Sequence, residues 1–73
     1  MTKTMKRKLR KARDFAVSEA GGPHSLGKML GITGQAVSQW EIVPEGRVNR
    51  MSRLLGIPKH NLRPDIHRPE ADA

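Results

Sequence analysis

LGITGQAVSQW, residues 30–40, carries the signals of two helices meeting across a tight turn. Gly31 is a natural C-terminal stop for a preceding helix, because glycine takes the left-handed backbone geometry that such a stop requires. Thr33 is an N-cap for the helix that follows, its hydroxyl able to accept from an otherwise unpaired first-turn amide. A helix-turn-helix crosses steeply, so it needs a small residue where the helices touch and apolar anchors on either side. Gly27 gives the room, and Leu26, Leu30, Ile32, Val37 and Trp40 are the anchors.

The second helix of the pair is expected to run from its Thr33 cap to about Trp40 or Glu41. At about 100° per residue, Ala36, Val37 and Trp40 cluster on one side of it. Gly34, Gln35, Ser38 and Gln39 occupy the other, which is uncharged but rich in hydrogen-bonding groups. Glutamine pairs with adenine through two hydrogen bonds in the major groove, and serine is short enough to meet a base or a phosphate. An ordinary solvated helix also shows such a face; the basic surroundings favour the base-reading alternative. Gln35 and Gln39 are the leading candidates for base contacts, joined by Ser38 and Gly34. Trp40 lies opposite the polar face and reads as a core anchor.

On the N-terminal side, Met5, Leu9, Ala12, Ala16 and Ala20 recur at spacings of three and four and define one stripe of a helix over 5–20. Gly21, Gly22 and Pro23 end it. A short helix over 24–30 follows, with Leu26, Met29 and Leu30 expected on its inner face. On the C-terminal side, Pro44 suits a first helical position, so a helix is expected from 44 to 55 with Val48, Met51, Leu54 and Leu55 inward, stopped by Gly56. Pro58 to Asn61 suits a single helical turn. No stretch shows sustained apolar and polar alternation. The expected fold class is all-α, a compact bundle of four to five short helices built around the helix-turn-helix.

The chain has 73 residues, enough for one compact domain, and a formal net charge of +7. A charge excess of that size in so small a protein favours a polyanionic partner through long-range attraction and counterion release. Lys3, Lys6, Arg7, Lys8, Arg10, Lys11 and Arg13 carry half of the fourteen positive charges before the first acid, Asp14. Residues 20–40 contain no acid at all. There is no cysteine, hence no disulfide, and His24, His60 and His67 stand apart from any metal-binding or catalytic pattern. No metal and no cofactor is expected. GPHSLGK, residues 22–28, has the GxxxxGK spacing of a phosphate loop, but Met29 follows where a magnesium-binding serine or threonine is required. No strand precedes it, and so short a chain has no room for the surrounding α/β sheet. An enzyme is not expected. No apolar run nears the ~20 residues that span a bilayer, which points to a soluble protein without a membrane partner.

LGITGQAVSQWE, followed by VPEGRV and later HNLRPDI, resembles the Cro/C1-type helix-turn-helix superfamily, especially its YdaS-like and phage Cro-like members, over roughly residues 9–66. The resemblance implies a lambda repressor-like fold and a repressor that binds a near-palindromic operator in double-stranded DNA as a homodimer. It implies contacts at Thr33, Gly34, Gln35, Ser38 and Gln39, the start and outer face of the recognition helix. Arg47 matches the pattern VPxxRV, and with Thr33, Lys28 and Arg50 it completes the candidates for phosphate contact; Arg50 and Arg53 share the polar face of their helix. Localisation would follow as cytoplasmic and nucleoid-associated. The YdaS likeness also leaves room for an antitoxin-like protein-interaction module with a partner protein that also binds DNA. Two departures stand out: Gly27 replaces the alanine usual at the crossing, and Gly46 falls in the expected first turn of the helix from Pro44. Each is expected to loosen packing by up to ~1 kcal/mol relative to alanine. In domain terms, residues 1–8 are a basic N-terminal arm or helix extension, 9–66 the DNA-binding domain and 67–73 a flexible tail.

Overall fold

A computed structural model describes residues 3–68 of the chain. Among these residues five α-helices succeed one another: α1 (Lys3–Glu19), α2 (Pro23–Leu30), α3 (Gly34–Ser38), α4 (Val48–Leu55) and α5 (Lys59–Leu62), with a 3-10 turn, Glu45–Arg47, leading into α4. No strand occurs among the described residues. The fold is the all-α bundle expected from the sequence.

One core joins all five helices. Ala16, Leu26, Leu30, Val37, Val43, Val48, Met51, Ile57 and Leu62 are buried together, with Val17, Ala20, Ile32, Trp40 and Leu55 packed against them. The stripe on α1 sinks unevenly: Leu9 and Ala16 are fully buried, while Met5, Ala12 and Ala20 are half-buried. α1 begins at Lys3, so Lys3, Lys6, Arg7 and Lys8 belong to a continuous 17-residue helix. Of the expected tail, only His67 and Arg68 are described; residues 69–73 lie outside.

Three expectations are corrected. The helix expected to start at Pro44 starts at Val48, and Pro44 is extended (φ −63°, ψ 138°), capping the 3-10 turn instead. Gly46 therefore lies in that turn and not in a helix, where a Cβ would meet open space. Leu54, expected inward, is 44% exposed, and Met29 is 39% exposed. Helix α4 is only eight residues long, so its inner face is the narrow row of Val48 and Met51, with Leu55 at the edge.

The C-terminal segment is fastened by a charged side chain. Arg63 is 8% exposed. It donates from Nε and Nη2 to the two carboxylate oxygens of Asp65 at 2.8 and 2.7 Å, and from Nη1 to the carbonyl of Val43 at 2.8 Å. The fork of the guanidinium matches the carboxylate oxygen for oxygen. These hydrogen bonds hold Asp65 below its ordinary carboxyl value of 3.8. One side chain thus joins the chain after α5 to the loop between α3 and α4.

Candidate nucleic-acid interface

Helix α3 is positioned by main chain meeting main chain. A Cβ at Gly27 would stand 2.6 Å from the carbonyl oxygen of Ile32 and 2.9 Å from the carbonyl carbon of Thr33. A Cβ at Gly34 would stand 2.9 Å from Cα of His24. Glycine at these two places lets the start of α3 lie directly on α2, and it reverses the expected effect of Gly27: alanine there would collide with rigid backbone. Between them Gly31 takes the left-handed turn, φ 77° and ψ 28°, donating its amide to the carbonyl of Gly27. α2, this turn and α3 are a helix-turn-helix in geometry.

Thr33 caps α3 from an extended conformation (φ −79°, ψ 155°), its Oγ1 accepting from the amide of Ala36 at 3.1 Å. Its hydroxyl hydrogen stays available to donate. Val37 is buried and Ala36 and Trp40 are half-buried, so the anchors face the core as their spacing requires. Gln35, Ser38 and Gln39 are exposed, with Gln35 and Gln39 on the side of the helix opposite Val37. α3 is shorter than expected, ending at Ser38. Gln39 is its C-cap, and its amide donates to the carbonyls of Gln35 and Ala36 at 3.1 and 3.3 Å. Gly34 is half-buried against His24, so packing accounts for that residue without any contact to a base.

The four candidates for phosphate contact are spread out. Thr33 is at the start of α3, and Lys28 is exposed on α2, one turn beyond His24. Arg47 ends the 3-10 turn, half-buried. Arg50 is exposed on α4, where Nη2 reaches the carbonyl of Met29 at 3.4 Å, a long hydrogen bond to the last turn of α2. α4 packs on α2 and α5. Arg50 is thereby placed at the C-terminal end of α2, away from the Gly34–His24 contact.

One element of the site escaped the sequence. Glu41, two residues past the C-cap of α3, accepts from Nε and Nη2 of Arg10 at 3.2 and 2.7 Å, and Nζ of Lys6 lies 3.7 Å away. These cations, the Arg10 hydrogen bond foremost, hold the Glu41 carboxyl below its ordinary value of 4.5. All three side chains are more than half exposed, so solvent screens the ion pairs. Their role is positional: they bring the cationic face of α1, with Lys3 and Arg7 beside them, next to the end of α3. Thirty-one residues separate Arg10 from Glu41, and no local pattern announces such a pair. Among the described residues no cluster of histidine, cysteine, aspartate and glutamate is arranged to hold a metal ion, and no helix is long and apolar enough to cross a membrane.

A helix-turn-helix whose second helix turns glutamine and serine outward, within a small all-α bundle, defines the class of the protein. Residues 14–71 match the family model described as Bacterial toxin YdaS, and the chain belongs to that family. No curated protein and no solved structure matches it.

Proposed function

We propose that this protein is a sequence-specific DNA-binding transcriptional regulator, a Cro-like repressor that binds a near-palindromic operator as a homodimer and does no chemistry on its ligand. The observation that carries this reading is the exposed row Gln35, Ser38 and Gln39 on a helix held by backbone contact, in a chain of net charge +7. Rigid placement suits base reading, since a bidentate glutamine–adenine pair requires the side chain to arrive at a fixed angle. The cations of α1 beside Glu41, with Thr33, Lys28 and Arg47, supply the sequence-independent attraction to phosphate. A domain with extents of 30 × 27 × 18 Å is of the right width for two copies side by side to place their α3 helices about 34 Å apart, the spacing of successive major grooves. In that role it would work in the bacterial cytoplasm, on the nucleoid.

Selection from random duplexes with the purified protein tests the reading, and should return a near-palindromic site. Replacing Gln35 and Gln39 together by alanine should remove most of the preference, roughly ten- to a hundredfold for each lost bidentate pair. The salt dependence of binding should stay as it was. Arg47→Ala should instead weaken all sequences alike and lower the salt slope by about one. Selection of the same site by the double variant with undiminished discrimination would remove α3 from the role given to it.

The family description favours a second reading, a toxin- or antitoxin-like module acting on a partner protein. Induction of the chain in a bacterial host separates the two. A toxin arrests growth with or without Gln35 and Gln39, whereas an effect exerted through operator DNA disappears in the double variant.

A further inference from the structure

We infer that the groove between α1 and α5 is a docking surface for an acidic segment of a partner protein, anchored by an apolar side chain. The groove is a shallow, widely open depression of about 480 Å³, lined by Ala12 and Phe15 of α1, by His60, Asn61 and Pro64 on the α5 side, and by the exposed Lys8 and Lys11. Ala12, Phe15 and Pro64 give it an apolar surface. Phe15 is the only phenylalanine of the chain, yet it is 52% exposed. A single exposed apolar side chain needs no explanation, but Phe15 is continuous with Ala12 and Pro64, and a contiguous apolar patch rimmed by charged residues is the kind of surface that partners use.

Charge decides the occupant. Lys8 and Lys11 border the groove, and among the described residues no acid lines it. A second copy offering the same face would bring four lysines together, which opposes a symmetric pair. Residues 69–73, PEADA, include two acids but no apolar side chain larger than proline. An acidic partner segment with a leucine or aromatic anchor meets both the charge and the cavity, as amphipathic helices do when they lie in apolar grooves. The groove is also clear of the face proposed for DNA. At 100° per residue, Lys8, Lys11, Ala12 and Phe15 centre roughly 140° around α1 from Lys3, Lys6, Arg7 and Arg10. A partner seated there leaves Gln35, Ser38 and Gln39 uncovered.

The test uses the full-length, ¹⁵N-labelled protein and a synthetic peptide of about 14 residues with leucine and phenylalanine at i and i+4 and glutamate on its other face. Saturable shifts should appear at amides of residues 8–15 and 60–63. A counterpart peptide with lysine in place of every glutamate should not bind. Phe15→Ser should weaken peptide binding at least roughly tenfold while binding to duplex DNA is unchanged. Lys11→Glu, on an exposed helical site that tolerates either residue, should weaken it too and checks the result against misfolding. The proposal is overturned if the acidic peptide shifts residues 3–7 and α3 and leaves residues 11–15 and 60–63 unmoved, which would make it a generic polyanion. It is overturned equally if both peptides bind alike, if Phe15→Ser abolishes concentration-dependent self-association, or if removal of residues 69–73 is what exposes the groove.

Discussion

Replacing Arg63 with alanine should lower the stability of the domain by about 3 kcal/mol, the effect of leaving one partner of a buried ion pair alone. Asp65, whose side chain is 16% exposed, would keep its charge without its cation, and the carbonyl of Val43 would lose its donor. For a chain of this size the total stability is on the order of 5 kcal/mol, so most of it is at stake. Thermal unfolding followed by circular dichroism should show a midpoint lower by roughly 10–20 °C. A midpoint within a few degrees of the parent would mean that the clamp contributes little. Removing both charges, Arg63→Met with Asp65→Leu, should recover part of the loss, because no uncompensated charge remains.

The same pair sets a pH dependence. Arg63 depresses the Asp65 carboxyl in the folded state. The stabilisation is therefore complete above the ordinary value of 3.8 and disappears as pH falls through the lower folded value. Glu41 is shifted in the same direction by Arg10 and Lys6 but is exposed, so its share is small. Unfolding midpoints should stay level from neutral pH to about 5 and drop below about 4. The drop should be shallower in the double variant Arg63→Met with Asp65→Leu, which carries neither charge of the pair.

The second large effect belongs to Gly27. Alanine in a helix interior normally gains up to about 1 kcal/mol over glycine. Here the added methyl would stand 2.6, 2.9 and 3.0 Å from three backbone atoms of Ile32, Thr33 and Gly34. No rotamer change relieves a collision with main chain, and overpacking of this kind costs about 3 kcal/mol. The collision wins, and Gly27→Ala should destabilise by about 2 kcal/mol net. Because α3 is the element pushed away, discrimination between DNA sequences should suffer even in the molecules that stay folded. Gly46→Ala is the control: its Cβ meets nothing within 4 Å, and its stability should stay within about 0.5 kcal/mol of the parent. Equal effects at the two glycines would refute the close-approach account.

The helix-turn-helix could be read from the chain because its determinants are local. Gly31, Thr33, and the spacing of Leu26, Leu30, Val37 and Trp40 all lie within fifteen residues, and each acts through the conformation of its own segment. Where local rules compete with tertiary geometry, reading from sequence fails. Pro44 can open a helix, but the chain needs an extended residue there before the 3-10 turn that leads into α4. Leu54 and Met29 carry apolar side chains, yet two eight-residue helices have more apolar positions than the core can cover. Arg63 to Val43 and Arg10 to Glu41 are contacts across 20 and 31 residues. Their partners are defined only once the helices have packed. Of the candidate site, the outer row of α3 was readable from helical period alone; the ion pairs that tie α1 to Glu41, just past the end of α3, were not.

The absence of side chains at the Gly27 and Gly34 crossing has a consequence for how the protein can diversify. Since the pose of α3 rests on backbone atoms, on the Thr33 cap and on the anchors Val37 and Trp40, none of the outer side chains Gln35, Ser38 and Gln39 packs to keep the helix where it is. The three outer positions can therefore be exchanged without disturbing the mount on which they sit. In the role proposed for α3, substitutions at those positions alone should shift the preferred target sequence and leave the fold unchanged.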